Sequence, residues 1–316
     1  RAICHPMTDF ESTASLMTPS RLASLSAKPA ASPTFWQDPT TGDIGRSQLQ
    51  HLVELHTALG SAELECDLAP LRTALAEMLS AHSSLDFGLL QSHGWLARAL
   101  GKARSAGAEF ASQAERLTEL GKTAHGALLA AQKLHGDRTS VAERLLLDMD
   151  VEHRALEQLV EHGARWLQDM RQQLQQRHAA AANDPQEQDR IRAEASRCEA
   201  LVVRLKALRS LGATVGQFVQ QSRTLLSGRA RMLQGLSQAL PAALRAWQPR
   251  ISALATAAED GDGAALSLEG PQEVHQALGA QAGHALADVE DLQHRTEALQ
   301  QQHAVVAQQL TATLAV

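Results

Sequence analysis

The segment from Leu278 to Leu310 repeats apolar or small residues at alternating steps of four and three positions. An α-helix places residues at these steps along one side, so the pattern predicts a coiled-coil-like helix over 272–314 whose seam packs on other helices. The seam positions are Leu278, Ala282, Ala285, Val289, Leu292, Thr296, Leu299, His303, Val306 and Leu310. We expect His303 to be a hydrogen-bonded core histidine on this seam.

The composition favours the same kind of structure in the rest of the chain. Aromatic residues make up 3% of the 316 residues and tyrosine is absent, so few large rings are available to fill a thick core. Leu, Ala, Gln, Glu and Arg are all good helix formers and dominate the sequence, whereas β-branched residues are scattered. We therefore predict an all-α fold, an elongated bundle of long, partly coiled-coil helices, with a disordered N-terminal leader.

Proline, glycine and polar residues divide the chain into segments. Residues 1–45 hold five of the ten prolines and are predicted to be the disordered leader. Residues 46–316 are predicted to form one elongated helical domain. It contains shorter helices over 46–135, a turn at 134–140 (LHGDRTS), long helices over 139–258 with a break at 183–185, and the heptad helix over 272–314.

The stretch LSQALPAALRAWQPRISALA, residues 236–255, places two prolines in an otherwise amphipathic helix. Proline lacks a backbone N–H and its ring clashes with the preceding helical turn, so Pro241 and Pro249 can each begin or kink a helix. We predict a helical elbow near 241–249, with Trp247 as its packing anchor.

Positive charge is concentrated in the segment 200–258, which contains no Asp or Glu. The segment carries a net charge of +8 and the whole chain −6, so the rest of the chain carries −14. The basic residues of the segment are Arg204, Lys206, Arg209, Arg223, Arg229, Arg231, Arg245 and Arg250. They are candidates for binding an anion or a partner, including an anionic membrane surface. The other interpretation is that they pair with acidic helices of the same chain.

Three cysteines, Cys4, Cys66 and Cys198, lie far apart in the sequence. They form neither a CxxC motif nor a disulfide framework, which favours a reducing cytoplasm and argues against direct sequestration of an oxyanion by thiols. No window of the sequence approaches the apolar length of a membrane span.

No catalytic motif is present, and the candidate metal ligands are incomplete. Asp150 with His153, and Asp291 with His294, have the i, i+3 spacing by which helical bundles present a carboxylate and an imidazole to one metal. Such a site also needs glutamates from other helices, and the sequence nominates none. We expect no metal, no cofactor and no enzymatic activity, with a helical-bundle metalloenzyme as the alternative.

Two longer stretches carry a family resemblance. QFVQQSRTLLSGRARMLQGLSQALPAALRAWQPRISALA (217–255), preceded by VVRLKALRSLGATVG (202–216), resembles the C-terminal half of the TelA-type toxic-anion-resistance (tellurite-resistance) family. VAERLLLDMDVEHRALEQLVEHGARWLQDM (141–170) is similar to the long helix of that family. Pro241 departs from the family pattern, since it precedes Trp247 by six residues rather than about two.

The resemblance implies a cytoplasmic, all-helical bacterial protein associated with tolerance of tellurite and related stress, with no catalytic residue to carry over. We therefore expect a non-enzymatic scaffold or adaptor that binds other proteins, such as stress-resistance or membrane-associated components, through its helical surfaces. The alternative is a peripheral binder of an anionic membrane, at the inner face of the cytoplasmic membrane, or of nucleic acid through residues 200–258. Nucleic acid is less favoured because the aromatic residues needed for base stacking are nearly absent.

Overall fold

The computed structural model describes residues 43–64, 66–90, 102–181, 184–259 and 267–315. These residues form five α-helices and one short 3-10 helix at Phe87–Leu90, and no strand occurs among them, so the all-α prediction is confirmed. The α-helices are α1 (Arg46–Leu64), α2 (Ala69–Ser84), α3 (Lys102–Ala180), α4 (Pro185–Glu259) and α5 (Glu269–Ala315). None of these helices has a stretch that is long and apolar enough to cross a membrane.

The predicted leader falls almost entirely on residues 1–42, which lie outside the described residues. Ile44, inside the predicted leader, is 2% exposed. The packed part of the chain therefore begins before residue 46.

The chain divides into two compact units. Unit 1 contains Val141–Arg223 and Gln300–Val316 together with the chain up to Ser61, and unit 2 contains Ala62–Ser140 and Thr224–Leu299. Helices α3, α4 and α5 each contribute residues to both units. The core of unit 1 includes Leu49, Leu156, Leu208 and Phe218, and the core of unit 2 includes Leu75, Met78, Phe110 and Leu278.

Helix α5 confirms the heptad prediction. Eight of the ten predicted seam positions are buried, and the other two, Thr296 and His303, are half-buried. The observed helix begins and ends within three residues of the predicted bounds 272–314.

The turn predicted at 134–140 is wrong, because α3 is a single helix of 79 residues that passes through it. Thr139 donates its hydroxyl to the carbonyl of His135 one turn earlier, so its side chain is satisfied inside the helix instead of capping a new one. Gly136 has open space around its Cβ position, so no close contact requires glycine there. Its low helix propensity destabilises the helix by about 1 kcal/mol relative to alanine. Burial of Ala131, His135 and Ala142 outweighs that cost.

The break predicted at 183–185 lies between α3 and α4. Asp184 accepts hydrogen bonds from the backbone N–H groups of Gln186 and Glu187, at 3.0 and 3.3 Å, and so caps the start of α4. Pro185 occupies the first helical position, where its missing N–H costs nothing.

Helix α4 continues as one helix of 75 residues through Pro241 and Pro249, so neither proline begins a new helix, and a bend at the elbow near 241–249 stays a prediction. An internal proline costs roughly 3 kcal/mol. A buried stripe that includes Leu240, Trp247 and Ile251 holds both sides of each proline in the helix. The prediction that Trp247 anchors the packing is confirmed, since it is 1% exposed.

Candidate functional site

Helix α4 carries all eight basic residues that the sequence nominates for binding, and the structure separates them by exposure. Arg204 and Arg229 are buried, Arg223 is half-buried, and Lys206, Arg209, Arg231, Arg245 and Arg250 are exposed. The first four in chain order lie in unit 1 and the last four in unit 2. The basic segment is therefore not one continuous binding surface.

Arg229 is 1% exposed and lies in unit 2. Its Nη2 donates to the Leu64 carbonyl at 2.7 Å and to Thr296 Oγ1 at 3.4 Å. Leu64 is the last residue of α1, one turn after the helical geometry is interrupted at Gly60, and its carbonyl has no partner within that turn, so the guanidinium caps the C-terminus of α1. Burial lowers the pKa of Arg229, and the nearby Arg138 guanidinium lowers it further.

Arg204 has a corresponding role in unit 1. Its Nε donates to the Ile44 carbonyl at 3.1 Å and its Nη1 to the Thr313 carbonyl, in the last turn of α5, at 2.5 Å. Burial lowers the pKa of Arg204 as well. Within the described part of the chain, neither Arg204 nor Arg229 forms an ion pair with a carboxylate. Both side chains bind backbone carbonyls at or next to helix ends, so they do not face an outside ligand.

Arg223 pairs with an acidic residue of a neighbouring helix, as the second interpretation of the basic segment predicts. Its Nη1 lies 3.5 Å from Asp150 Oδ2, and its Nη2 donates to the Leu146 carbonyl at 3.4 Å. Arg154 contacts the same carboxylate oxygen of Asp150 at 2.9 Å.

The five exposed basic residues face water. Arg231, Arg245 and Arg250 make long hydrogen bonds to the carbonyls of Ser227, Pro241 and Gly270, at 3.4, 3.3 and 3.4 Å. None of the five forms an ion pair with a carboxylate among the residues that the structure covers. These side chains can therefore meet an anionic partner without first losing an internal one.

In unit 1 the exposed side of α4 has a regular composition. Val203, Lys206, Ser210, Ala213 and Gln217 are all exposed and follow steps of three and four, so they form one stripe, which we call the outer stripe. Val203 is 62% exposed, the highest value among the exposed large hydrophobic residues of the described chain. The outer stripe contains no carboxylate.

The two Asp–His pairs considered as metal ligands do not assemble a site. Asp150 is bound by arginines, and Asp291 lies 2.7 Å from Arg295 Nη2. His153 faces Glu157 at 3.4 Å, and His294 faces Glu297 at 3.8 Å on its own helix. The described ranges contain no group of three His, Cys, Asp or Glu residues able to hold a metal ion.

Sequence reasoning missed a histidine cluster in unit 2. The rings of His82, on α2, and His275, on α5, stack with centroids 3.8 Å apart and an interplanar angle of 8°. Each Nε2 donates to the carbonyl of the other residue, at 2.8 and 3.2 Å, and Trp247 Nε1 donates to His275 Nδ1 at 3.2 Å. His275 is therefore neutral, with its proton on Nε2. Burial, with a smaller effect from His82, lowers its pKa to about 4.

A second stacked pair lies in unit 1. His56, on α1, and His303, on α5, have ring centroids 3.8 Å apart at 21°, and Phe218 lies 5.7 Å from the His56 ring. His303 Nε2 donates to the His56 carbonyl at 3.4 Å, which confirms the prediction of a hydrogen-bonded seam histidine. His56 is 3% exposed, and its Nε2 has no hydrogen-bond partner within the ranges that the structure describes. Burial, followed by the effect of His303, lowers the pKa of His56 to about 4.

The sequence contained a signal for the two histidines that α5 contributes to these pairs. His275 lies three residues before Leu278, so it continues the heptad seam, and His303 lies on the same seam. Nothing in the sequence marks His56 or His82 as their partners, because these residues belong to distant helices.

Comparison with known proteins gives no relative: no family model matches the chain, and no curated protein or solved structure matches it.

Proposed function

We propose that this chain is a non-enzymatic helical adaptor that binds an acidic helical segment of a partner protein along the outer stripe of α4. The observation that supports this proposal is the composition of that stripe, which combines exposed Val203 with Lys206 and lacks carboxylates. Helices that pack side by side contact each other at steps of three and four, which is the spacing of the stripe.

The charge of the outer stripe determines the class of partner. Lys206 lies on the outer stripe, Arg209 is exposed beside it one helical turn further along, and no acidic residue of α4 offsets them between residues 200 and 258. A row of carboxylates on a partner helix complements this charge and is attracted to it during encounter. Small residues at Ser210 and Ala213 allow the partner backbone to approach closely, and Val203 supplies apolar contact.

Charge reversal at Lys206 in the outer stripe and at Arg209 beside it tests this function. We expect the K206E/R209E variant to bind the partner at least tenfold more weakly than the wild type, because like charges then face each other. A photo-crosslinker at position 203 in the full chain identifies the bound protein, and titration with that purified protein measures the affinity. The matched control is R154E/R165E, which makes the same type of charge change on the exposed side of α3, where both arginines have 71% exposed side chains.

Equal loss of affinity in both variants would contradict the proposal, because the effect would then follow net charge and not the outer stripe. Crosslinking to a second copy of this chain, or to a partner segment without acidic residues, would also contradict it.

The physiological setting that we propose is resistance to toxic anions such as tellurite, on the basis of the resemblance of residues 141–170 and 202–255. Deletion of the gene is expected to lower tellurite tolerance, and the wild-type gene is expected to restore it where K206E/R209E does not. Unchanged tolerance after deletion would remove the resistance role and leave the adaptor role to the binding experiment.

A second candidate function, binding to an anionic surface, is favoured by the exposed arginines of unit 2. For this function, wild-type protein would cosediment with phosphatidylglycerol vesicles but not with phosphatidylcholine vesicles, and binding would weaken with added salt. The R231E/R245E/R250E variant would lose this binding, because all three side chains are exposed. Arg229 is unsuitable for such a test because it is buried. Salt-sensitive binding to DNA but not to vesicles would indicate that these arginines bind nucleic acid and not a membrane.

A further inference from the structure

Helix α5 contacts each of the two short N-terminal helices through a stacked histidine pair. His275 joins α5 to α2 through His82 in unit 2, and His303 joins α5 to α1 through His56 in unit 1. His275 and His303 lie exactly four heptads apart on the α5 seam. The two pairs therefore occupy equivalent seam positions and make the same kind of contact.

Proton binding is incompatible with the hydrogen bonds of the pair in unit 2. His275 Nδ1 accepts the indole N–H of Trp247, and His275 Nε2 already donates to the His82 carbonyl. A proton added to Nδ1 would point at the Trp247 N–H, so two donors would face each other and the bond would be lost.

Proton binding is also disfavoured in unit 1. His56 Nε2 is buried and finds no acceptor for a hydrogen among the described residues, so an imidazolium there would leave a buried N–H unsatisfied. The ring is stacked on His303 and lies beside Phe218, and neither can neutralise the charge.

The groups that face the two pairs offer no compensating negative charge. In unit 2 the aromatic rings that pack near His275 are those of His82 from α2, Trp247 from α4 and Phe87 from the 3-10 helix. In unit 1 the aromatic rings near His56 are those of His303 from α5 and Phe218 from α4. Among residues covered by the structure, no carboxylate pairs with any of the four imidazoles.

We infer that the two histidine pairs form an acid-sensitive switch, closed when His56 and His275 are neutral, that releases α5 from α1 and α2 when these two rings are protonated. This inference is independent of the proposed adaptor function. It assigns to α5 a regulated contact with the N-terminal helices, controlled by proton concentration.

The direction of the pH dependence follows from the pKa values. His56 and His275 have a pKa of about 4 in the closed state, below the ordinary value of 6.5. Between pH 4 and pH 6.5 the released state therefore binds more protons than the closed state. The contribution of the pairs to the stability of the closed state is fully present above pH 6.5. It decreases as the pH falls from 6.5 towards 4.

Hydrogen exchange on the full chain at pH 7 and pH 5, corrected for intrinsic exchange rates, tests the switch. We expect protection of α5 around His275 and His303 to fall on the order of tenfold for each histidine pair, with a much smaller change in the middle of α3. The H56Q/H275Q variant should lose most of this pH dependence, because glutamine does not titrate. The control H284Q/H294Q removes two exposed histidines of α5 and should behave like the wild type.

Equal loss of protection in α3 and α5 would overturn the switch, since it would indicate global acid destabilisation. An unchanged pH dependence in H56Q/H275Q would also overturn it. Nitrogen-15 NMR of histidine-labelled wild-type protein gives a readout that needs no variant. Two histidines should remain neutral at pH 5, one of them with its proton on Nε2 and Nδ1 as acceptor, whereas titration of every histidine near pH 6.5 would reject the inference.

Discussion

Arg229→Glu is expected to lower the free energy of unfolding by about 3 to 5 kcal/mol, which is typical of an uncompensated buried charge. In the wild type, the Arg229 guanidinium donates to the Leu64 carbonyl at the C-terminus of α1. A carboxylate at this position would place acceptor against acceptor, and its negative charge would be buried without a counter-charge. The loss should be measured by urea unfolding followed by circular dichroism.

Arg231→Glu is the matched control, because it makes the same chemical change two residues further along α4. Arg231 is exposed and its Nε reaches only the Ser227 carbonyl of its own helix, at 3.4 Å. We expect the free energy of unfolding to change by no more than about 0.5 kcal/mol. Similar losses for the two variants would mean that Arg229 does not cap α1 in solution.

Gly279→Ala and Gly283→Ala are expected to change stability in opposite directions, although the positions lie one turn apart on α5. A glycine in a helix interior is normally less favourable than alanine by about 0.5–1 kcal/mol. Gly283 has open space around its Cβ position, so G283A should raise the free energy of unfolding by this amount. Thermal and urea unfolding of both variants measure the difference.

At Gly279 the added methyl group meets the His82 ring. Its Cβ would lie 3.0 Å from His82 Cδ2 and closer still to Cε1 and Nε2. The ring cannot move aside freely, because it stacks on His275 and donates to its carbonyl. We expect G279A to lower the free energy of unfolding by about 1–3 kcal/mol, the usual cost of overpacking. A stabilising effect of G279A would show that the two rings do not stack in solution.

The heptad seam of α5 was predictable because one physical cause, burial of one helix side, acts on every position of the repeat. The uninterrupted course of α3 was not, because Gly136, Asp137 and Thr139 form a local turn signal that tertiary packing overrides. Pro241 and Pro249 likewise begin no new helix, although proline is unfavourable inside one. Local propensity costs are a few kcal/mol at most, and a buried stripe on the same helix exceeds them.

The basic segment was recognisable from its charge, but charge alone does not distinguish exposed residues from buried ones. Arg229 and Arg231 are two residues apart and have opposite environments, because a helix turns by about 200° between them. The partners of Arg204 and Arg229 are backbone carbonyls, which every residue possesses and which leave no trace in composition. The candidate binding residues are therefore only those that the helical phase of α4 turns outward.

The sequence separation of the contacts in unit 1 has a consequence for the synthesis of the protein. His303 bonds to the backbone of His56 across 247 positions, and Arg204 bonds to both Ile44 and Thr313. Unit 1 cannot complete its core until residues 300–315 have left the ribosome, whereas α1 leaves it before α2, α3 and α4 are made. Contacts of such high order form slowly, so the apolar side of α1 lacks its contact with α5 while the intervening helices are synthesised.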